Sequence, residues 1–117
     1  MYRISKQFTF SASHIIEGLP DGHPCSRLHG HNYNVELVLE AAALNATGFV
    51  VDYNELSVFK EMIDNTLDHQ HLNDVLDGAT TAESIAKYLY DHAKSLWQEV
   101  VAVSVSETPK TNATYQP

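Results

Sequence analysis

Only one cysteine stands among the 117 residues, so no internal disulfide can form and packing alone must hold the fold. Basic side chains are also scarce: 7 Lys and Arg against 15 Asp and Glu give a formal net charge of −8. With no cluster of cations to follow a phosphate backbone, nucleic acid is not an expected partner. No apolar run is long enough to span a bilayer, and "MYRISKQFTFSASH" lacks the uninterrupted apolar core of a signal peptide. The expectation is no membrane partner and a cytoplasmic, reducing location. Apolar residues at 44% and charged residues at 19% exclude a disordered chain, and the length suits one domain over residues 1–117.

Histidine, by contrast, is abundant. Three of the seven, together with the lone cysteine, fall in "HPCSRLHGHNY", residues 23–33. The surrounding periodicity says where they sit. Phe8, Phe10, Ala12 and His14 share one phase of a strand running from Tyr2 to His14. Residues 17–27, with two glycines and two prolines, form a loop. A second strand begins near His29, with His29, His31, Tyr33, Val35, Leu37 and Leu39 on one face. "LNATG" is turn chemistry, and "FVVDY" after it reads as a short β-branched return.

Asp52 and Glu55 have capping-box spacing ahead of Leu56, Phe59, Ile63 and Leu67, which predicts a helix of about four turns. Thr80 and Glu83 have the same spacing ahead of Ile85, Leu89, Ala93 and Leu96, a second amphipathic helix. In "VVAVSVSE", residues 100–107, Val101, Val103, Val105 and Glu107 share a face of a third strand, and "TNATYQP" adds a short final one. The order of two strands, two helices and two strands predicts an α+β fold with a mainly antiparallel sheet and the helices on one side.

His29 and His31, two apart on a strand, project from the same side, and pairing across the loop brings His14 beside them. Three imidazoles with a further position open to water or substrate describe a catalytic zinc site; ordinary sheet-end histidines bonded to backbone are the plainer reading. The spacing leaves Cys25 three roles: a fourth ligand closing a structural cage, a nearby base or nucleophile, or an inert thiol. Asp68 beside His69 in "LDHQHLND" suits a proton-transfer pair whose carboxylate fixes the tautomer, and equally a histidine that ends a helix. His71 could take either part, while His23 and His92 read as surface residues. Glu107, in phase with valines, needs a partner: a ligand edge with two parallel N–H donors, a lysine, or water at a strand end.

"FSASH", "GHPCSRLHGHNY", "DYNEL", "LDHQHLND" and "SETP" occur in the order and approximate spacing of the 6-pyruvoyltetrahydropterin synthase family, which the chain resembles from Phe8 to about Tyr115. The three-residue gap between Cys25 and His29 is similar to the bacterial 6-carboxy-5,6,7,8-tetrahydropterin synthase branch, which serves queuosine and 7-deazapurine synthesis. The resemblance implies the T-fold, a four-stranded antiparallel sheet with two helices inserted between strands 2 and 3, assembled as a homohexamer of two stacked trimers. It implies Zn2+ on His14, His29 and His31, with Cys25 outside the coordination sphere as general base. Asp68 and His69 would complete a triad with Cys25 across a subunit boundary, and Glu107 would anchor the pterin. The implied substrate is 7,8-dihydroneopterin triphosphate. Arg27, beside the cysteine, is the candidate phosphate contact. A sibling lyase with another product, such as 6-pyruvoyltetrahydropterin, and a non-catalytic zinc-stabilised module are the competing functions.

Overall fold

A computed structural model describes every residue from Met1 to Pro117. β1 (Tyr2–His14) and β2 (His29–Ala41) pair antiparallel along their whole length, from Tyr2 opposite Ala41 to His14 opposite His29. Two helices follow, α1 (Ser57–Thr66) and α2 (Ala82–Leu96), and then β3 (Val100–Ser106) and β4 (Ala113–Tyr115). The strands lie in the order β1-β2-β3-β4, every pair antiparallel. This is the α+β layout that the periodicities predict.

Alternation decides which face is covered. Phe8, Phe10, Ala12 and His14 are buried on β1, and Tyr33, Val35, Leu37 and Leu39 on β2, whereas their polar neighbours face out. The helices lay Leu56, Phe59, Ile63 and Leu67, then Ile85, Leu89 and Ala93, onto that row; all seven are fully buried. Phe59 meets Phe8 edge-on with ring centroids 5.1 Å apart, a favourable aromatic geometry that fixes α1 over the middle of β1. The apolar row thus ends in imidazoles at one end of the sheet.

Five local expectations need correction. Val38 pairs with Ala102 but Leu39 pairs with Val100, so Val101 is an extra residue in a β-bulge. Beyond the bulge the phase reverses: Val100 is fully buried, and Val101 leaves the row it was expected to share with Val103 and Val105. The cap of α2 is Thr81, whose hydroxyl accepts from the Ser84 N–H at 3.2 Å; Thr80, one residue earlier, is buried because its carbonyl is needed by His14. At the far end of the same helix Leu96 is exposed, beyond the reach of the sheet.

Asp52 caps a 3-10 turn, Tyr53–Leu56, by accepting from the Asn54 N–H, and α1 proper is 10 residues, nearly three turns instead of four. "FVVDY" forms no strand. Val50 and Val51 are both buried, which adjacent positions of a one-faced strand could not achieve, and Asn45 Oδ1 holds the turn before them by accepting from Thr47 and Phe49.

Candidate active site

His14 and His29 occupy opposed positions in the β1/β2 register, and His31 follows on the same face of β2. The glycine between the two β2 histidines matters sterically: a Cβ on Gly30 would lie 3.1 Å from the Ala12 carbonyl oxygen, so the strands could not close at this point without a shift. One ligating atom from each imidazole lies within 4.8 Å of the others, with ring centroids 4.5, 5.2 and 4.9 Å apart. Cys25 is not part of this group.

The outer ring nitrogens settle the tautomers. His14 Nδ1 donates to the Thr80 carbonyl at 2.8 Å and His29 Nδ1 donates to the Arg27 carbonyl at 2.7 Å. A carbonyl can only accept, so both protons sit on Nδ1 and both Nε2 atoms present lone pairs inward. Those two Nε2 atoms stand 3.0 Å apart, and Nε2 of His31 is buried with no partner. Facing lone pairs at that distance repel unless a proton or a metal ion lies between them. A tetrahedral ion with ~2.0–2.1 Å bonds holds its nitrogens ~3.3 Å apart, close to the spacing present. The carbonyls that orient the rings are those of conventional metal-binding histidines. His14 is 1% exposed, and burial holds its imidazole below its ordinary pKa, outweighing the opposite pull of the Thr80 carbonyl; the neutral form is the one that ligates. The residues present therefore fit a divalent metal with at least one position left open.

Glu107, just past β3, turns back toward the trio, its Oε2 3.7 Å from His31 Nε2. It lines a cleft of about 420 Å³ with Cys25, His23, Ile16, Leu19 and Thr81. Cys25 is exposed in a 3-10 turn, Pro24–Ser26, that opens onto this cleft. His23, expected at the surface, is half-buried and caps that turn: its Nδ1 accepts from the Cys25 N–H at 3.1 Å. A polar side chain in extended conformation before a proline at the first turn position is the sequence signature of a cap, and "HPCS" carries it.

Asp68 and His69 occupy a different place. The 68–71 segment runs along the open edge of β1: the His69 N–H donates to the Ser11 carbonyl, and the Ser13 N–H donates to the Gln70 carbonyl. Asp68 accepts from the Ser11 N–H and from His69 Nδ1, both at 2.9 Å. Its carboxyl is held below the ordinary carboxylate value, chiefly by the Ser11 N–H and then by His69. His69 adopts φ 59°, a left-handed conformation unusual for histidine, and 82% of its side chain is exposed. With His71, whose Nδ1 lies 3.0 Å from Ser13 Oγ, it borders an outer cleft of about 480 Å³ lined also by Asn32 and Gln70. Within one chain, then, Cys25 and Glu107 share one cleft, and His69 borders another together with His31. Arg27 is exposed and lines neither; its carbonyl, which orients His29, is the part of it with a visible job.

A sequence model of the 6-pyruvoyl tetrahydropterin synthase family matches residues 3–117. The chain belongs to this family. The 6-carboxy-5,6,7,8-tetrahydropterin synthase of Bacillus subtilis is 32% identical over an alignment that covers 99% of this chain and 86% of that protein. The enzyme of the same name from Haemophilus influenzae is 29% identical, with 99% of each chain covered. The structure of Caenorhabditis elegans 6-pyruvoyl tetrahydropterin synthase superposes with a TM-score of 0.87 at 26% identity, covering 99% of this chain and 95% of that one. The fold is accordingly that of the family, and the expected four-stranded sheet with helices between strands 2 and 3 is what the structure contains. Tetrahydropterin synthases are lyases, and this chain is an enzyme of that kind. No helix is long and apolar enough to cross a membrane.

Proposed function

We propose that the protein is a zinc-dependent lyase that converts 7,8-dihydroneopterin triphosphate to 6-carboxy-5,6,7,8-tetrahydropterin, releasing acetaldehyde and triphosphate, in the cytoplasmic synthesis of queuosine and related 7-deazapurines. The observation that carries this reading is the trio His14, His29 and His31, the first two held in one tautomer by backbone carbonyls, beside a cleft that holds a free thiol and a carboxylate. The similarity to two bacterial enzymes of that name supports the choice of product.

In this reading His14, His29 and His31 hold zinc, which when bound supplies Lewis-acid stabilisation of charge developing on the side-chain oxygens of the substrate. Glu107 accepts two N–H donors from the amino and ring edge of the pterin, a planar pairing that fixes the ring in the cleft. Cys25, outside the ligand set, takes a proton from the substrate side chain as general base, with its turn held by His23. Asp68 keeps the proton of His69 on Nδ1, so Nε2 is the atom that exchanges protons. Because His69 borders a different cleft from Cys25, the pair serves the thiol of a neighbouring subunit, and the homohexamer is the assembly that brings the two clefts together. Arg27 contacts the phosphates from the rim.

The test is to incubate zinc-loaded protein with dihydroneopterin triphosphate and identify the product by mass. A 6-carboxytetrahydropterin supports the reading, and a 6-pyruvoyl product assigns the sibling reaction. No turnover by a folded, zinc-replete hexamer overturns it in favour of a zinc-stabilised module. Cys25→Ala should keep zinc stoichiometry and thermal stability, since the thiol is exposed and outside the metal group, while turnover falls about 10²- to 10⁴-fold.

A further inference from the structure

The chain leaves β1 through a set of hydrogen bonds that the proposed chemistry does not use, and Asn73 is at its centre. Ile15 follows His14 directly. Its N–H donates to Asn73 Oδ1 and its carbonyl accepts from Asn73 Nδ2, both at 2.9 Å. One carboxamide thus takes both backbone groups of one residue, as a neighbouring strand would. The pairing also fixes which way the amide points, because a flipped side chain would set donor against donor and acceptor against acceptor.

Asn73 completes a series along the open edge of β1. Ser11 is held there by the Asp68 carboxylate and the His69 N–H, Ser13 by the Gln70 carbonyl, and Ile15 by Asn73. The first two positions lie within β1, where pairing with β2 already fixes the backbone. Ile15 lies beyond the last pair, His14 opposite His29, so no strand pairing holds it. Each residue has two soft dihedral angles, and a released Ile15 would let the backbone beside His14 turn.

What the clamp holds in place is the most buried imidazole of the trio. A second constraint reaches the same point from the other side. The Thr80 hydroxyl donates to the Ile15 carbonyl at 3.4 Å, while the Thr80 carbonyl accepts from His14 Nδ1 at 2.8 Å. The Ile15 carbonyl therefore joins three segments: the end of β1, the turn Leu72–Asp74 and the residues ahead of α2. Asn73 supplies two bonds of ordinary length and the Thr80 hydroxyl one long bond, so the carboxamide carries most of the constraint.

We propose that Asn73 is a positioning residue of the metal site: by clamping both backbone groups of Ile15 it fixes the direction in which His14 enters the trio. It touches no ligating nitrogen and acts through the backbone next to one. The inference rests on the reading of the trio as a metal site, and the identity of the substrate does not enter it.

The experiment compares Asn73→Ala with Asn45→Ala. Both asparagines hold backbone groups with their side chains, but Asn45 serves the turn beyond Ala41, the end of β2 farthest from His29. Chelator-treated protein is titrated with metal, and three quantities are read: the Kd for Zn2+, the visible spectrum of the Co2+-loaded protein, and the urea midpoint of unfolding. Both variants should lower the midpoint. Asn73→Ala alone should also raise the Kd for Zn2+ about tenfold and alter the Co2+ absorption, the loss expected when support of a ligating histidine is removed. Asn45→Ala should leave the Kd within about twofold, because distant sites act independently. Asn73→Asp is nearly isosteric, keeps an acceptor for the Ile15 N–H and sets an oxygen against the Ile15 carbonyl. It should weaken Zn2+ binding to a similar degree, and it decides the matter if Asn73→Ala does not fold. An unchanged Kd and an unchanged Co2+ spectrum in the folded Asn73 variants overturn the proposal and leave Asn73 a role in stability alone. An equal rise in Kd from Asn45→Ala overturns it too, since affinity would then follow stability. Wild-type protein that binds neither Zn2+ nor Co2+ refutes the metal reading itself, and the proposal with it.

Discussion

Replacing Asp68 separates what the carboxylate does for the fold from what it does for chemistry. The side chain accepts two hydrogen bonds, one from the Ser11 N–H on the edge of β1 and one from His69 Nδ1, both at 2.9 Å. Asp68→Ala leaves the Ser11 N–H without its acceptor. Bonds to charged groups contribute about 1.5–3 kcal/mol, but Asp68 is 27% exposed and water can reach the vacated donor. A loss of roughly 1–2 kcal/mol follows, or a fall in Tm of roughly 3–10 °C for a chain of this size. Asp68→Asn retains an oxygen for Ser11 and should cost less than about 1 kcal/mol. Turnover should behave differently. Without the carboxylate the proton of His69 is no longer held on Nδ1, and both variants should lose about 10²-fold or more in kcat despite their unequal stabilities.

The pH dependence has a definite sign. The folded-state pKa of Asp68 is lowered, so its stabilisation is fully present above the ordinary carboxylate value of 3.8 and disappears as pH falls through the folded value. The difference in stability between wild type and Asp68→Asn, measured by urea unfolding, should be constant near neutrality and shrink below that value. Turnover within threefold of wild type in both variants, or a stability difference that grows on acidification, refutes the reasoning.

Two further outcomes follow from the site. Adding zinc to chelator-treated protein at about 100 times its Kd should stabilise the fold by about 2.7 kcal/mol in urea titrations, provided the unfolded chain binds weakly; His29→Ala should abolish the shift. His23→Ala removes the cap of the Cys25 turn and should lower kcat about tenfold, with an unfolding midpoint changed by less than about 1 kcal/mol and zinc retained; unchanged kcat would show that the turn holds itself.

The parts of the molecule that could be read in advance are those where one periodicity controls many residues. A strand repeats every two residues, so Phe8 to His14 and His29 to Leu39 announce a buried face, and a single register, His14 opposite His29, then brings the imidazoles together. Where one residue breaks the period the pattern gives no warning. The bulge at Val101 moves Val100 inward because the pairing slips by one between Val38 and Leu39, and valines on both sides conceal the slip. The cap of α2 misleads for a related reason: Thr80 and Thr81 are chemically equal, and the choice between them is made by His14, 66 residues away in sequence, which requires the Thr80 carbonyl.

The same distinction sorts the site residues. The trio follows from strand phase, but the exclusion of Cys25 from it depends on the path of the 17–27 loop, which spacing alone left open. In the sequence Asp68 and His69 read equally as a proton-transfer pair or as the end of a helix. Their segment satisfies the free edge of β1, and an edge strand must be covered by something. His69 takes up its left-handed turn there with its imidazole exposed, bordering a different cleft from the thiol of its own chain. In the proposed function, a pair satisfied internally at Asp68 yet exposed at its imidazole is free to meet a group that arrives from outside. Under the proposed function, turnover should therefore require that two copies meet. The decisive observation is complementation: mixed assemblies of Cys25→Ala and His69→Ala chains should regain turnover that neither variant has alone, because some clefts then pair an intact thiol with an intact imidazole. If Cys25 and His69 acted within one chain, every cleft would lack one of them and no activity would return.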